Sequence, residues 1–76
     1  MMNIQTDKEL GAYLRQRRKS MNLTIEDMAS VIPCSPRPLG ELERGQRGVS
    51  ISMLLKMLAL LGLQLNIRGK EEAPTR

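Results

Sequence analysis

Residues 23–45 read LTIEDMASVIPCSPRPLGELERG, and the fold turns on how this stretch is punctuated. Thr24 is a good helix N-cap, Asp27 stands three residues on, and Met28, Ala29 and Ile32 fall on one face of the helix that follows. Pro33 stops that helix, because a proline drives the residue before it out of the α region. Ser35 is a second N-cap, with Pro36 at the first helical position, where a missing N–H costs nothing. Leu39 and Leu42 point inward, Arg44 ends this second helix, and Gly45 closes it in the left-handed conformation. The stretch is two short helices joined by a tight turn.

Outward from this centre, toward the N-terminus, Thr6-Asp7-Lys8-Glu9 is a capping box that starts another helix. Leu10, Tyr13, Leu14 and Met21 keep helical spacing along it. Arg15, Gln16, Arg17, Arg18 and Lys19 are expected on its outer surface, in the last turns, where cations suit the negative end of the helix dipole. Asn22 follows as a left-handed C-cap, the conformation asparagine tolerates best after glycine. Residues 1–5 are expected to be a flexible leader.

Toward the C-terminus, Gln46-Arg47-Gly48-Val49 is a short basic loop, and Ser50 caps a fourth helix, ISMLLKMLALL, which Gly62 ends. Ile51, Leu54, Leu55, Leu58 and Leu61 make one apolar stripe, and Met53, Met57 and Leu60 make a second. A helix apolar nearly all round is buried nearly all round. In so small a domain only another chain is left to cover the second stripe. Beyond Gly62 the period changes: Leu63-Gln64-Leu65-Asn66-Ile67-Arg68 alternates apolar and polar, as a half-buried strand does. Pairing with the same strand of a second subunit is the economical way to satisfy its edge. The expected dimer interface is therefore Met53, Met57, Leu60, Leu63, Leu65 and Ile67. Residues 69–76, charged and containing a proline, are expected to be a flexible tail.

Composition agrees with a single small domain that needs a partner. Seventy-six residues with no Trp, no Phe and one Tyr build an aliphatic core, and small scaffolds add a disulfide, a metal or another subunit. Cys34 stands alone and there is no His, so neither an internal disulfide nor a zinc set is available. Packing in the core is the favoured role for the Cys34 thiol over a redox switch. The net charge of +4 suits a polyanionic partner. The N-terminus has no apolar signal-like run and no segment is apolar enough for a membrane, so a cytoplasmic location is expected. Glu41 and Glu43 resemble a carboxylate pair, yet without His or a Cys partner they make no case for catalysis; neither an enzyme nor a cofactor is expected. Glu43 is expected instead to pin Arg44 or a first-helix arginine in a surface salt bridge, worth little on its own.

Two helices with a three- to four-residue turn between them are the plan of a helix-turn-helix. The Leu-Thr entry at 23–24, Met28-Ala29, Ser35, Leu39, the Glu-Leu-Glu-Arg-Gly run at 41–45 and the Leu-Gly end at 61–62 make residues 9–68 resemble the Xre/Cro family. The direct passage through Arg47 into the fourth helix, and the strand LQLNI straight after Gly62, resemble the HipB-like antitoxins within it. The resemblance implies an all-α, lambda-repressor-like helix-turn-helix domain of four to five short helices over residues 6–68. One C-terminal β-strand would pair across a homodimer. It also implies binding to double-stranded DNA at a palindromic operator upstream of the protein's own gene, and association with a HipA-like serine/threonine kinase toxin.

In a helix-turn-helix the second of the paired helices enters the major groove with its N-terminal residues at base edges. Here those residues are Ser35, Arg37, Gly40 and Glu41, and Arg37 is the side chain able to make a bidentate contact to guanine. A solvated surface arginine is the plain alternative. Thr24 and Ile25 open the helix that lies across the backbone, while Arg44, Gln46 and Arg47 stand where the following loop meets phosphate. Arg15, Arg17, Arg18 and Lys19 are either further backbone contacts or a solubilising face. The chain departs from the family at Ile25, where Gln is common, and at Pro36, Pro38 and Gly40 in the recognition helix. Those departures motivate a second expectation, a protein–protein adaptor that keeps the fold but reads little sequence. A stand-alone repressor is the third.

Overall fold

A computed structural model describes residues 3–32, 36–46 and 49–69. Four helices follow one another: α1 (Asp7–Ser20), α2 (Ile25–Val31), α3 (Pro36–Glu43) and α4 (Ile51–Leu60). Their boundaries are set by side chains close in sequence. Thr6 Oγ1 accepts the Glu9 N–H at 3.1 Å while Glu9 Oε1 accepts the Thr6 N–H at 3.2 Å, a reciprocal box that satisfies two of the orphan donors of α1. Thr24 and Asp27 repeat it at the start of α2, with both bonds at 2.9 Å. Ser50 Oγ accepts from the Met53 N–H at the start of α4. At the end of α2, Ile32 is extended, as the proline after it requires.

The other helices end in left-handed turns. After α1, Asn22 has φ 59° and its N–H donates to the Lys19 carbonyl, while the Leu23 N–H donates back to Arg18. Gly45 (φ 71°) closes α3 in the same way, and there a side chain is excluded twice over. A Cβ at this position would be strained by the backbone and would lie 2.7 Å from the Lys8 Cα. Gly11 has a different reason: its bare Cα lets α1 cross the end of α3, since a Cβ would press into the carbonyls of Leu42 and Glu43.

The core is Leu14 from α1, Met28 and Ile32 from and just beyond α2, Leu39 and Leu42 from α3, and Met57, Leu58 and Leu61 from and just beyond α4. Helix α3 is the hub, packed against both α1 and α2. Met21, expected on the apolar face of α1, caps its end and is partly exposed.

The faces of α4 differ from the expected division. Met57, assigned to an outer stripe, is completely buried within its own chain, so it is not available to a second subunit. Met53 and Leu60 are half-buried against the same core. Ile51 and Leu55, assigned to the core, are 71% and 46% exposed. The reason is the helical period: Leu54, Met57, Leu58 and Leu61 stand at i, i+3, i+4 and i+7, and that arc centres the helix on the core. Ile51 and Leu55 are left on the far edge.

Residues 63–69 leave α4 without regular secondary structure, and no strand occurs among the described residues. Leu63 folds back against the core, while Leu65 and Ile67 are 57% and 85% exposed. Cys34, Ser35, Arg47, the start of the leader and the tail beyond residue 69 lie outside the described residues. Among those that are described, no helix is long and apolar enough to cross a membrane.

Candidate nucleic-acid interface

The outer side of α3 carries the candidate reading residues. Arg37, in its first turn, has a side chain 81% exposed, and its Nε donates to Glu41 Oε2 at 3.1 Å, one helical turn on. Glu41, expected beside it at the base edges, is half-buried, and its carboxylate accepts the Arg37 bond. Gly40 lies between them, half-buried. Past the end of the helix, Arg44 is exposed and its Nε donates to Gln46 Oε1 at 3.1 Å. Thr24 is exposed at the start of α2 with its hydroxyl engaged in the cap. The Ile25 side chain beside it is half-buried against the core. Ser35 and Arg47, also expected at this surface, lie outside the described residues.

The basic run of α1 does not form one outer face. Arg18 is buried: Nε and Nη2 donate to the two carboxylate oxygens of Glu43 at 2.7 and 3.0 Å, and Nη1 donates to the Leu23 carbonyl at 2.7 Å. Glu43 thus pairs with a first-helix arginine, one of the two expected partners, but as a buried bidentate pair and not a surface salt bridge. Sequence spacing held the signal for it, because Arg18 is four residues after Leu14 and Glu43 four after Leu39, so each occupies a core-facing position. The hydrogen bond to Glu43 raises the affinity of the Arg18 guanidinium for its proton, against desolvation, and the nearby charge of Glu26 adds to it. Arg17 is also committed: its Nε donates to the Leu61 carbonyl at 2.8 Å, placing a cation on the C-terminal end of α4. Arg15 and Lys19 remain exposed. Asp27 is held below the ordinary carboxylate value by the Thr24 N–H and then by its hydroxyl partner.

Between α1 and α3 runs an open groove of about 850 Å³. Arg15 and Lys19 line it from α1, Gly40 and Arg44 from α3 and its end, and the Arg18–Glu43 pair between them. The groove also reaches Ile25 and Gln46. The exposed surface from Arg37 to Gln46 is thus continuous with a second, cation-lined one. Such a surface can offer hydrogen-bond donors to base edges at one end and positive charge to phosphates along its length.

Comparison with known proteins agrees. The model of the helix-turn-helix domain family matches residues 9–68. An uncharacterized HTH-type transcriptional regulator of Sinorhizobium fredii (strain NBRC 101917 / NGR234) is 33% identical over 69 residues, 91% of either chain. The crystal structure of the clp gene regulator ClgR from C. glutamicum superposes with a TM-score of 0.70 at 34% identity, over 82% of this chain and 80% of that one. The HipB–O4 20mer complex superposes at 0.80 and the HipA–HipB–O2–O3 complex at 0.81. Both are 15% identical and cover 93% of this chain and 100% of theirs, a likeness of fold. The chain belongs to the Xre-type helix-turn-helix family of DNA-binding transcriptional regulators, and its fold is HipB-like.

Proposed function

We propose that this protein is a dimeric, sequence-reading repressor that binds an operator upstream of its own gene and acts as the antitoxin of a HipA-like serine/threonine kinase. The observation that carries the DNA part is the exposed Arg37 in the first turn of α3, the position from which a recognition helix reaches base edges. Its bond to Glu41 is a surface pair, worth little, so exchanging that carboxylate for guanine O6 and N7 is cheap. Ser35 and Thr24 hold phosphate at the helix starts, with Arg44, Gln46 and Arg47 in the following loop, while Ile25, Gly40 and Glu41 border the contact. The dimer joins Leu65 and Ile67 across paired C-terminal strands. The exposed Ile51 and Leu55 extend that interface, and Met53, Leu60 and Leu63 lie at its edge. The kinase partnership is supported by fold likeness to HipB in the HipA–HipB–O2–O3 complex.

Fluorescence anisotropy with DNA from upstream of the gene, and a scrambled duplex in parallel at two salt concentrations, tests the DNA part. A preference for the native duplex at both salts is expected, and Arg37→Ala should lower it about 10- to 100-fold, as losing one bidentate base contact does. Equal, salt-fragile binding to both duplexes would instead favour the adaptor reading, to which the apolar Ile25 already lends support. Co-expression with a HipA-like kinase from the same genome tests the antitoxin part. Growth should be restored; persistent arrest would leave a stand-alone repressor.

A further inference from the structure

The leading end of α3 differs in kind from the other helix starts. Helices α1, α2 and α4 open without proline, behind the hydroxyls of Thr6, Thr24 and Ser50. Helix α3 opens Pro36-Arg37-Pro38-Leu39. A helix start leaves four backbone N–H groups without an internal partner, and here two of the four do not exist. One proline at the first helical position is ordinary punctuation. The second, two residues on, takes another donor from the end of the helix that enters the groove.

Pro36 is exposed and Pro38 half-buried, so the Pro36 ring forms the tip. Arg37 does not cover it. Its Nε donates to Glu41 Oε2 at 3.1 Å, one turn on, which draws the guanidinium back along the helix and away from Pro36. The tip is therefore an uncharged ring, with neither donor nor acceptor, beside the arginine assigned to guanine.

We propose that Pro36 reads the 5-methyl group of a thymine, on the same base pair as the guanine read by Arg37 or on the next one. That methyl is the apolar group that base edges present in the major groove. A proline pressed against it leaves no backbone N–H dry, as another residue at this position would. Against an amino or carbonyl edge the same ring would strip water and return no hydrogen bond, so the other bases are disfavoured. The placement follows from reach: successive Cα atoms are about 3.8 Å apart, and bases along a strand about 3.4 Å. The inference rests on the reading of DNA by α3.

The test is a methyl-deletion scan of the full chain by fluorescence anisotropy. Each thymine of the native upstream duplex is replaced in turn by deoxyuridine, which lacks only the 5-methyl group. One replacement in a half-site should weaken binding about fourfold, the worth of one buried methyl. Pro36→Ser should be indifferent to that replacement, while keeping the preference for the native over the scrambled duplex. A parallel scan with 7-deazaguanine, which lacks the N7 acceptor, locates the guanine of Arg37 as the one whose replacement Arg37→Ala does not feel. The sensitive thymine should lie on that base pair or the next, and one farther away overturns the proposal even where Pro36→Ser fails to fold. A sensitive thymine to which a folded Pro36→Ser responds as the wild type does also overturns it, placing the contact on another residue. No sensitive thymine, in a wild-type chain that still prefers the native duplex, overturns the Pro36 contact and leaves the reading by Arg37 intact. A wild-type chain without that preference overturns both.

Discussion

Removing one member of the Arg18–Glu43 pair leaves the other charged and dry. The pair is buried with bidentate geometry, and Arg18 holds a third bond to the Leu23 carbonyl. Glu43→Ala should therefore destabilise the chain by about 3 kcal/mol, read as a shift of the urea midpoint. Replacing both, Arg18→Met with Glu43→Leu, should recover most of that loss, because an apolar pair of similar volume carries no desolvation penalty. Asp27 has the opposite setting: it is fully exposed, and its Thr24 bonds hold its carboxyl below the ordinary 3.8. A group depressed in the folded state contributes stability above its unfolded pKa and loses it as pH falls through the folded one. Between about pH 5 and pH 2 the wild-type midpoint should fall more steeply than that of Asp27→Asn, the two curves converging at the acid end. Parallel curves would remove the Asp27 carboxylate from the cap's energetics.

At the scale of elements, the helix ends were the most legible part of the chain. Thr6, Thr24, Ser50, Asn22, Gly45 and Gly62 act on backbone groups within four or five residues, so local sequence contains the whole interaction. The faces of α4 were not legible, because both stripes are apolar and only the packed body decides which arc it covers. That choice separates two substitutions. Met57→Ala should cost about 3 kcal/mol by emptying a buried site. Leu55→Lys should leave the stability of the single chain nearly unchanged and weaken its self-association in sedimentation. If Leu55→Lys sediments as the wild type does, α4 is not part of the interface. The α1 cations depart from one outer surface for a related reason: a period of 3.6 residues sends Arg18 inward and Arg17 toward α4. Of the candidate site, Arg37, Arg44 and Gln46 were legible as exposed positions. The Arg37–Glu41 bond and the groove along α1 needed the helices brought together.

For the whole molecule, the bond from Arg17 Nε to the Leu61 carbonyl fixes the point where the C-terminal segment leaves the body. The Gly62 turn follows at once, with Leu63 packed back on the core, so no slack separates the helix-turn-helix from residues 63–68. In a dimer joined through that segment, the two recognition helices are held as the points of a fixed caliper. Two base pairs inserted at the operator's centre turn one half-site by about 70° relative to the other. A protein with a slack connection would follow that rotation, whereas this one should lose its preference for the site in the anisotropy assay. Arg17→Gln, by loosening the joint, should restore part of the tolerance.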